Sequence, residues 1–130
     1  MSLTKEQIFQ CTDIKIEKLH IEAWGGDIYV RSMTGTERDK FESSNVVKDR
    51  KTQTYDVRME NLRTRLVVLT VCDETGGRIF TDEDAKEIGR KNAAVIAQIY
   101  DVAARLSGIT KEDIEEITKN SLGEPSDVSQ

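Results

Sequence analysis

With 130 residues the chain is long enough to bury one modest core and too short for two well-stabilised ones. Nineteen Lys and Arg against 24 Asp and Glu leave a formal charge of -5, so a nucleic acid ligand meets net repulsion; the densest basic run, Lys48-Asp49-Arg50-Lys51, is broken by an acid and reads as a solvated loop. No apolar stretch approaches a membrane span, and the N-terminus lacks the basic-then-apolar layout of a secretory signal, so a cytosolic protein with no membrane partner is expected.

Thr4-Lys5-Glu6-Gln7 fits a capping box and predicts a short N-terminal helical turn. From Ile14 the pattern has period two. Ile14 and Ile16 point one way, and Leu19, Ile21 and Ala23 then continue out of phase, which predicts a bulge or break near Glu17-Lys18. Gly25-Gly26 supplies the positive φ of a tight turn, and Ile28 and Val30 form the returning strand. A hairpin over residues 14–32 follows, and because an isolated hairpin is marginal in water it must pack on helices or gain strands.

Thr34-Gly35-Thr36-Glu37 is a second capping box, opening a helix through Ser44 with Phe41 as its apolar anchor. Residues 45–54 are polar and aperiodic, and a loop is expected there. From Tyr55, the positions Met59, Leu62, Leu66 and Leu69 recur at three- and four-residue steps and predict a helix, with Arg58, Arg63 and Arg65 largely off its apolar stripe. The β-branched cluster Val67-Val68-Thr70-Val71 leaves a strand open as the alternative. Asp73 to Gly77 reads as a turn, Arg78-Ile79-Phe80 as extended, and Thr81-Asp82-Glu83-Asp84 as a cap that sets acids at a helix's positive end. A calcium loop starting at Asp73 fails on spacing, since its obligatory glycine falls on Arg78.

Residues 91–107 carry the strongest helical pattern, in which alanines, isoleucines, Val102 and Leu106 surround a narrow polar stripe of Gln98, Asp101 and Arg105. A central, widely covered helix is expected, closed by Gly108. Thr110-Lys111-Glu112-Asp113 then caps a last helix with Ile114 and Ile117 inward, and residues 121–130 read as a flexible, breaker-rich tail. The expected class is α+β: an N-terminal β-hairpin or small antiparallel sheet on a mainly α-helical body, one domain over 1–120.

Chemistry is sparse. Cys11 and Cys72 lack a CxxC spacing, Cys72 ends an apolar run and reads as a core residue, and both are expected to remain thiols. The lone His20 is expected to face solvent beside Lys18 and Glu22, and one histidine cannot build a triad or a two-histidine metal site. Glu83 and Glu87 have the i, i+4 spacing of a solvated helix face. No cofactor or metal is expected, and no catalytic residue emerges.

The order of these segments is more telling than any one of them. The hairpin and its Gly25-to-Arg38 continuation, Asn61-Leu62-Arg63-Thr64-Arg65-Leu66-Val67, Cys72-Asp73-Glu74 through Gly77 to Asp84, and the alanine-rich helix ending Leu106-Ser107-Gly108 together resemble the tail assembly chaperones of long-tailed bacteriophages and prophages. The likeness spans residues 14–120. It implies a non-enzymatic protein of the bacterial host cytoplasm that associates with the tape measure protein and the tail tube protein and is absent from the finished virion. It also implies a second, longer product made by ribosomal frameshifting, for which a tail from Asn120 suits an extension point, and self-association is compatible with it. Competing readings are a head-to-tail connector or tail completion protein, and a small regulatory or antitoxin-like adaptor.

A chaperone of this kind must mask apolar or strand-edge surface on its client. The hairpin offers an edge for strand addition. Tyr29, Tyr55 and Phe80 are the candidate partner-binding anchors, each with ordinary core packing as the alternative.

Overall fold

The alternation after Ile14 resolves into a strand, β1 (Ile16–Ile21), in a computed structural model that describes residues 2–57 and 61–109, with backbone alone at Val47 and at 55–57. β1 pairs antiparallel with β2 (Gly26–Arg31) in a continuous register from Ile16 opposite Arg31 to Ile21 opposite Gly26. This unbroken register corrects the expected bulge at Glu17-Lys18. Ile14 lies before the strand and outside its alternation; within it, Leu19 and Ile21 turn to the core while Ile16 lies on the other face, 40 % exposed. The chain reverses through a single 3-10 turn, Glu22–Trp24, closed by Gly25 at φ +72°, so only the first glycine of the pair needs the left-handed region.

Both early helices begin as the capping boxes dictate. α1 (Lys5–Gln10) has Gln7 N–H donating to Thr4 Oγ1 at 3.2 Å and Thr4 N–H donating to Gln7 Oε1 at 2.9 Å. Thr34 and Glu37 make the same reciprocal pair at the start of α2 (Gly35–Ser44), which ends where the sequence predicts and buries Phe41.

Residues 45–54 are a correction: β3 (Val46–Asp49) and β4 (Thr54–Val57) form a second, two-stranded antiparallel ribbon. Its reversal needs no glycine. The Asp49 carboxylate accepts Lys51 N–H at 2.9 Å, Asp49 O accepts Gln53 N–H at 2.9 Å, and Gln53 takes the positive φ, +59°, that a turn glycine ordinarily supplies. Tyr55 therefore belongs to a strand, and the helix expected from it, α3, starts only at Leu62 and runs to Thr70.

α3 is buried on most sides, through Leu62, Thr64, Leu66, Val67, Val68 and Thr70. The buried Thr70 hydroxyl is satisfied inside the helix, donating to Leu66 O at 2.8 Å. Val71 and Cys72 then leave it as β5 (Val71–Cys72), antiparallel to β2, which completes a sheet of order β1-β2-β5. The β-branched cluster thus serves as helix and strand in succession. After the turn at 73–77, the Thr81 capping box opens a 3-10 turn, Asp82–Asp84, that runs into the one-turn α4 (Ala85–Ile88).

α5 (Ala93–Leu106) begins with Asn92 Oδ1 accepting Ala94 N–H at 2.8 Å and ends at Gly108, φ +75°. Ile109 N–H donates to Ala104 O and Gly108 N–H to Arg105 O, the paired bonds of a Schellman stop. Gln98, Asp101 and Arg105 form the exposed stripe as expected, while Val95, Ile96, Ile99, Tyr100, Ala103 and Ala104 are buried. One apolar cluster joins these to Ile21 and Val30 of the sheet, Phe41 of α2, the inner face of α3, and Ile88 of α4. The architecture is α+β, an antiparallel sheet packed on a mainly helical body. Arg58, Met59, the last predicted helix with Ile114 and Ile117, the domain limit at 120 and the predicted tail lie outside the described residues.

Candidate binding surfaces

A clasp at the end of β2 fixes how the sheet meets the helices. Arg31, 6 % exposed, donates through Nη1 to Glu37 Oε1 at 2.8 Å and through Nη2 to Glu37 Oε2 at 2.6 Å, and it also donates to Ser32 O and Leu69 O. Glu37 is thus both the capping acid of α2 and a bidentate partner. Its hydrogen bonds with Arg31 hold its carboxyl at about 2 against the opposing effect of burial, and the pair raises Arg31 in turn. Beside this pair, burial pushes the Cys72 thiol up, which suits a core residue and not a thiolate nucleophile. Cys11 is exposed, and both cysteines are free.

The three candidate aromatics lie in three separate segments of the chain. Tyr29 is half-buried in β2, opposite Lys18 on one side and Cys72 on the other. Phe80 is half-buried between β5 and α4 and packs on the core cluster. Tyr55 belongs to β4, in the separate ribbon, and only its backbone is described.

Other residues present more apolar surface than Tyr29 or Phe80. Phe9 is 78 % exposed, and with Leu3 and Ile8 it forms an uncovered group on and beside α1, none of whose residues is buried. Trp24 stands at the hairpin tip and Ile79 in the extended segment, both exposed. The available signal was length: a six-residue helix carrying adjacent Ile8 and Phe9 is too short to hide both. The outer edge of β1 has no partner strand among the described residues. Because Ser32 N–H donates to Lys15 O, the alternation of an antiparallel ladder directs the backbone groups of Ile16, Lys18 and His20 to that free edge.

The polar clusters are occupied by their own neighbours. His20, exposed as expected, meets Asp27 Oδ1 at 2.7 Å, with Lys18 3.4 Å from the other oxygen, and the His20 bond chiefly lowers the Asp27 carboxyl. Asp73 Oδ1 accepts the Thr75 hydroxyl, Thr75 N–H and Gly77 N–H, which lower its carboxyl and turn it into its own loop. Among the described residues, no group of three or more His, Cys, Asp or Glu could hold a metal ion, and no helix is long and apolar enough to cross a membrane.

Among the described residues, clefts lie on two sides of α3. One, of about 390 Å³ between α2 and α3, mixes charges: Glu37 and Asp82 face Lys40, Arg65 and Arg78. The other, of about 380 Å³, lies between the start of α3 and the first half of α5 and carries Arg63 and Lys91.

No curated protein and no solved structure matches the chain. A family model described as phage tail assembly chaperone matches residues 5–120, from α1 through the whole sheet and the helical body. The chain belongs to the phage tail assembly chaperone family.

Proposed function

We propose that this protein acts in the cytoplasm of the bacterial host, without catalysis, by binding the tail tube and tape measure proteins while a phage tail is built. The observation that carries the reading is the family match over residues 5–120, which spans every described element. Two features of the chain supply a physical means. The edge of β1, free among the described residues, presents backbone N–H and C=O groups to which an extended client segment adds as a strand. Leu3, Ile8, Phe9 and Trp24 add exposed apolar surface able to cover apolar surface on a client before assembly.

Co-expression with the tail tube and tape measure proteins of the same phage or prophage tests the reading. Both clients should gain soluble yield and co-purify. Lys18→Pro removes a backbone N–H on the free edge and no ladder bond, so it should leave thermal unfolding within a few degrees of wild type and weaken capture of whichever client adds as a strand. If neither client associates under conditions in which tails assemble, the reading is wrong.

A further inference from the structure

β1 is an edge of its sheet among the described residues, and each of its ends leads to an uncovered apolar group. Residues 11–15 join the Ile16 end to α1, where Ile8 and Phe9 are exposed and no residue is buried. The Ile21 end runs directly into the 3-10 turn that carries exposed Trp24. The ends of a six-residue strand lie about 17 Å apart, so in one copy the two groups flank β1 from opposite ends and both stay open. An antiparallel partner reverses that order. A second copy paired along this edge brings its Trp24 to the end where the first copy's α1 enters, and the two-fold axis repeats the contact at the other end.

The side chains along the edge select one register. Its outward backbone groups belong to Ile16, Lys18 and His20, and a second copy completes their bonds only by setting these residues opposite one another. Two such registers pair five residues of each strand, 16–20 about Lys18 and 17–21 about Leu19. The first opposes Lys18 to Lys18, and like charges directly opposite are destabilising. The second brings the half-buried Leu19 of each copy together on the core side of the sheet, with the two Cα atoms about 4.5 Å apart. Lys18 then stands opposite His20 of the other copy. The Asp27 carboxylate can only accept, so in the neutral imidazole Nδ1 carries the hydrogen of the 2.7 Å bond to Asp27 Oδ1, and Nε2 is left to accept from the Lys18 ammonium. Glu17 brings no unpaired charge to the interface, because Arg105 Nη2 donates to its two carboxylate oxygens at 3.0 and 2.8 Å.

We propose that two copies of this chain pair through antiparallel β1 strands centred on Leu19, joining their three-stranded sheets into one and setting Phe9 of each copy beside Trp24 of the other. The dimer covers the strand edge and the exposed apolar groups in one step. That a client strand later takes the place of the second copy rests on the assembly role proposed above; the pairing itself does not.

Sedimentation equilibrium of the full chain should show a dimer with a dissociation constant below about 100 µM. Lys18→Pro, which removes an outward N–H from the middle of the edge, should sediment as a monomer at the same concentrations while its thermal unfolding stays within a few degrees of wild type. Phe9→Ser, on a helix with no buried residue, should weaken the dimer about tenfold through lost apolar contact with Trp24. Cross-linking reads the register in a Cys11→Ser background, where the remaining Cys72 is buried. Leu19→Cys should form an intermolecular disulfide under oxidised glutathione, and Lys18→Cys should not. A monomer at that concentration, a dimer undiminished in Lys18→Pro or Phe9→Ser, failure of Leu19→Cys to cross-link, or cross-linking of Lys18→Cys in its place would each overturn the proposal. Client capture separates the two readings. If the chain is monomeric and still captures the tube or tape measure protein, the dimer fails and the assembly role stands; if the dimer forms in this register and neither client is captured, the assembly role fails alone.

Discussion

Glu37 shows how much can rest on one side chain. It caps α2 and pairs with Arg31, and because Arg31 also holds Leu69 O, the carboxylate ties β2, α2 and the end of α3 together. Its folded value of about 2 lies below the ordinary 4.5, so the unfolded chain takes up the proton first, and this contribution to stability is complete above about 4.5 and lost as pH falls towards 2. Glu37→Gln should cost about 2 kcal/mol at neutral pH, through loss of charged hydrogen bonds to a buried guanidinium, and should flatten the decline between pH 4.5 and 2. Urea midpoints at pH 7 and at pH 3 measure both effects: the gap between wild type and variant should narrow at the lower pH. The capping half of this role is legible in Thr34-Gly35-Thr36-Glu37, since its bonds span three residues. The ion pair is not, because an arginine on a strand reads as solvated until α2 folds over it.

Among the elements, the capped helices were readable and the ribbon was not. Capping boxes are local: the bonds that start α1 and α2 join residues three apart, so sequence order alone sets them. The β3-β4 ribbon lacks the local signal of a hairpin, because its turn uses Asp49 and a left-handed Gln53 where glycine or asparagine would announce it. That conformation is strained for a residue with a Cβ, so Gln53→Gly should stabilise the ribbon by roughly 0.5 kcal/mol, the relief being partly offset by added freedom in the unfolded chain. Since the ribbon lies outside the three-stranded sheet, amide exchange is the suitable measurement: protection should rise over residues 46–57 and remain unchanged in α5. Glycine lowering protection there would contradict the assigned turn.

At the scale of the molecule, one cluster of buried apolar residues takes in the inner face of α3 and most of α5, so loss of that packing should be felt everywhere at once. Ile99 is 0 % exposed at its centre. Ile99→Asp should abolish cooperative thermal unfolding, because a carboxylate there would be buried without a partner, whereas Gln98→Asp, one residue away on the exposed stripe, should shift the melting temperature by no more than a few degrees. A cooperative transition retained in Ile99→Asp would mean that α5 is not the centre of the core.

The sequence by itself determined what depends on near neighbours: the capped starts of α1 and α2, the positive φ at Gly25 and Gly108, the polar stripe of α5, and the order of segments that carries the family resemblance. Tertiary structure decided what depends on distant partners. It joined β5 to β2, placed Phe80 on the core, set Arg63 over Tyr100, and left Phe9 and the β1 edge uncovered. The physical reason is range: a cap or a glycine turn is satisfied within a few residues of chain, whereas burial of an aromatic ring or an open strand edge depends on which remote elements arrive to cover it.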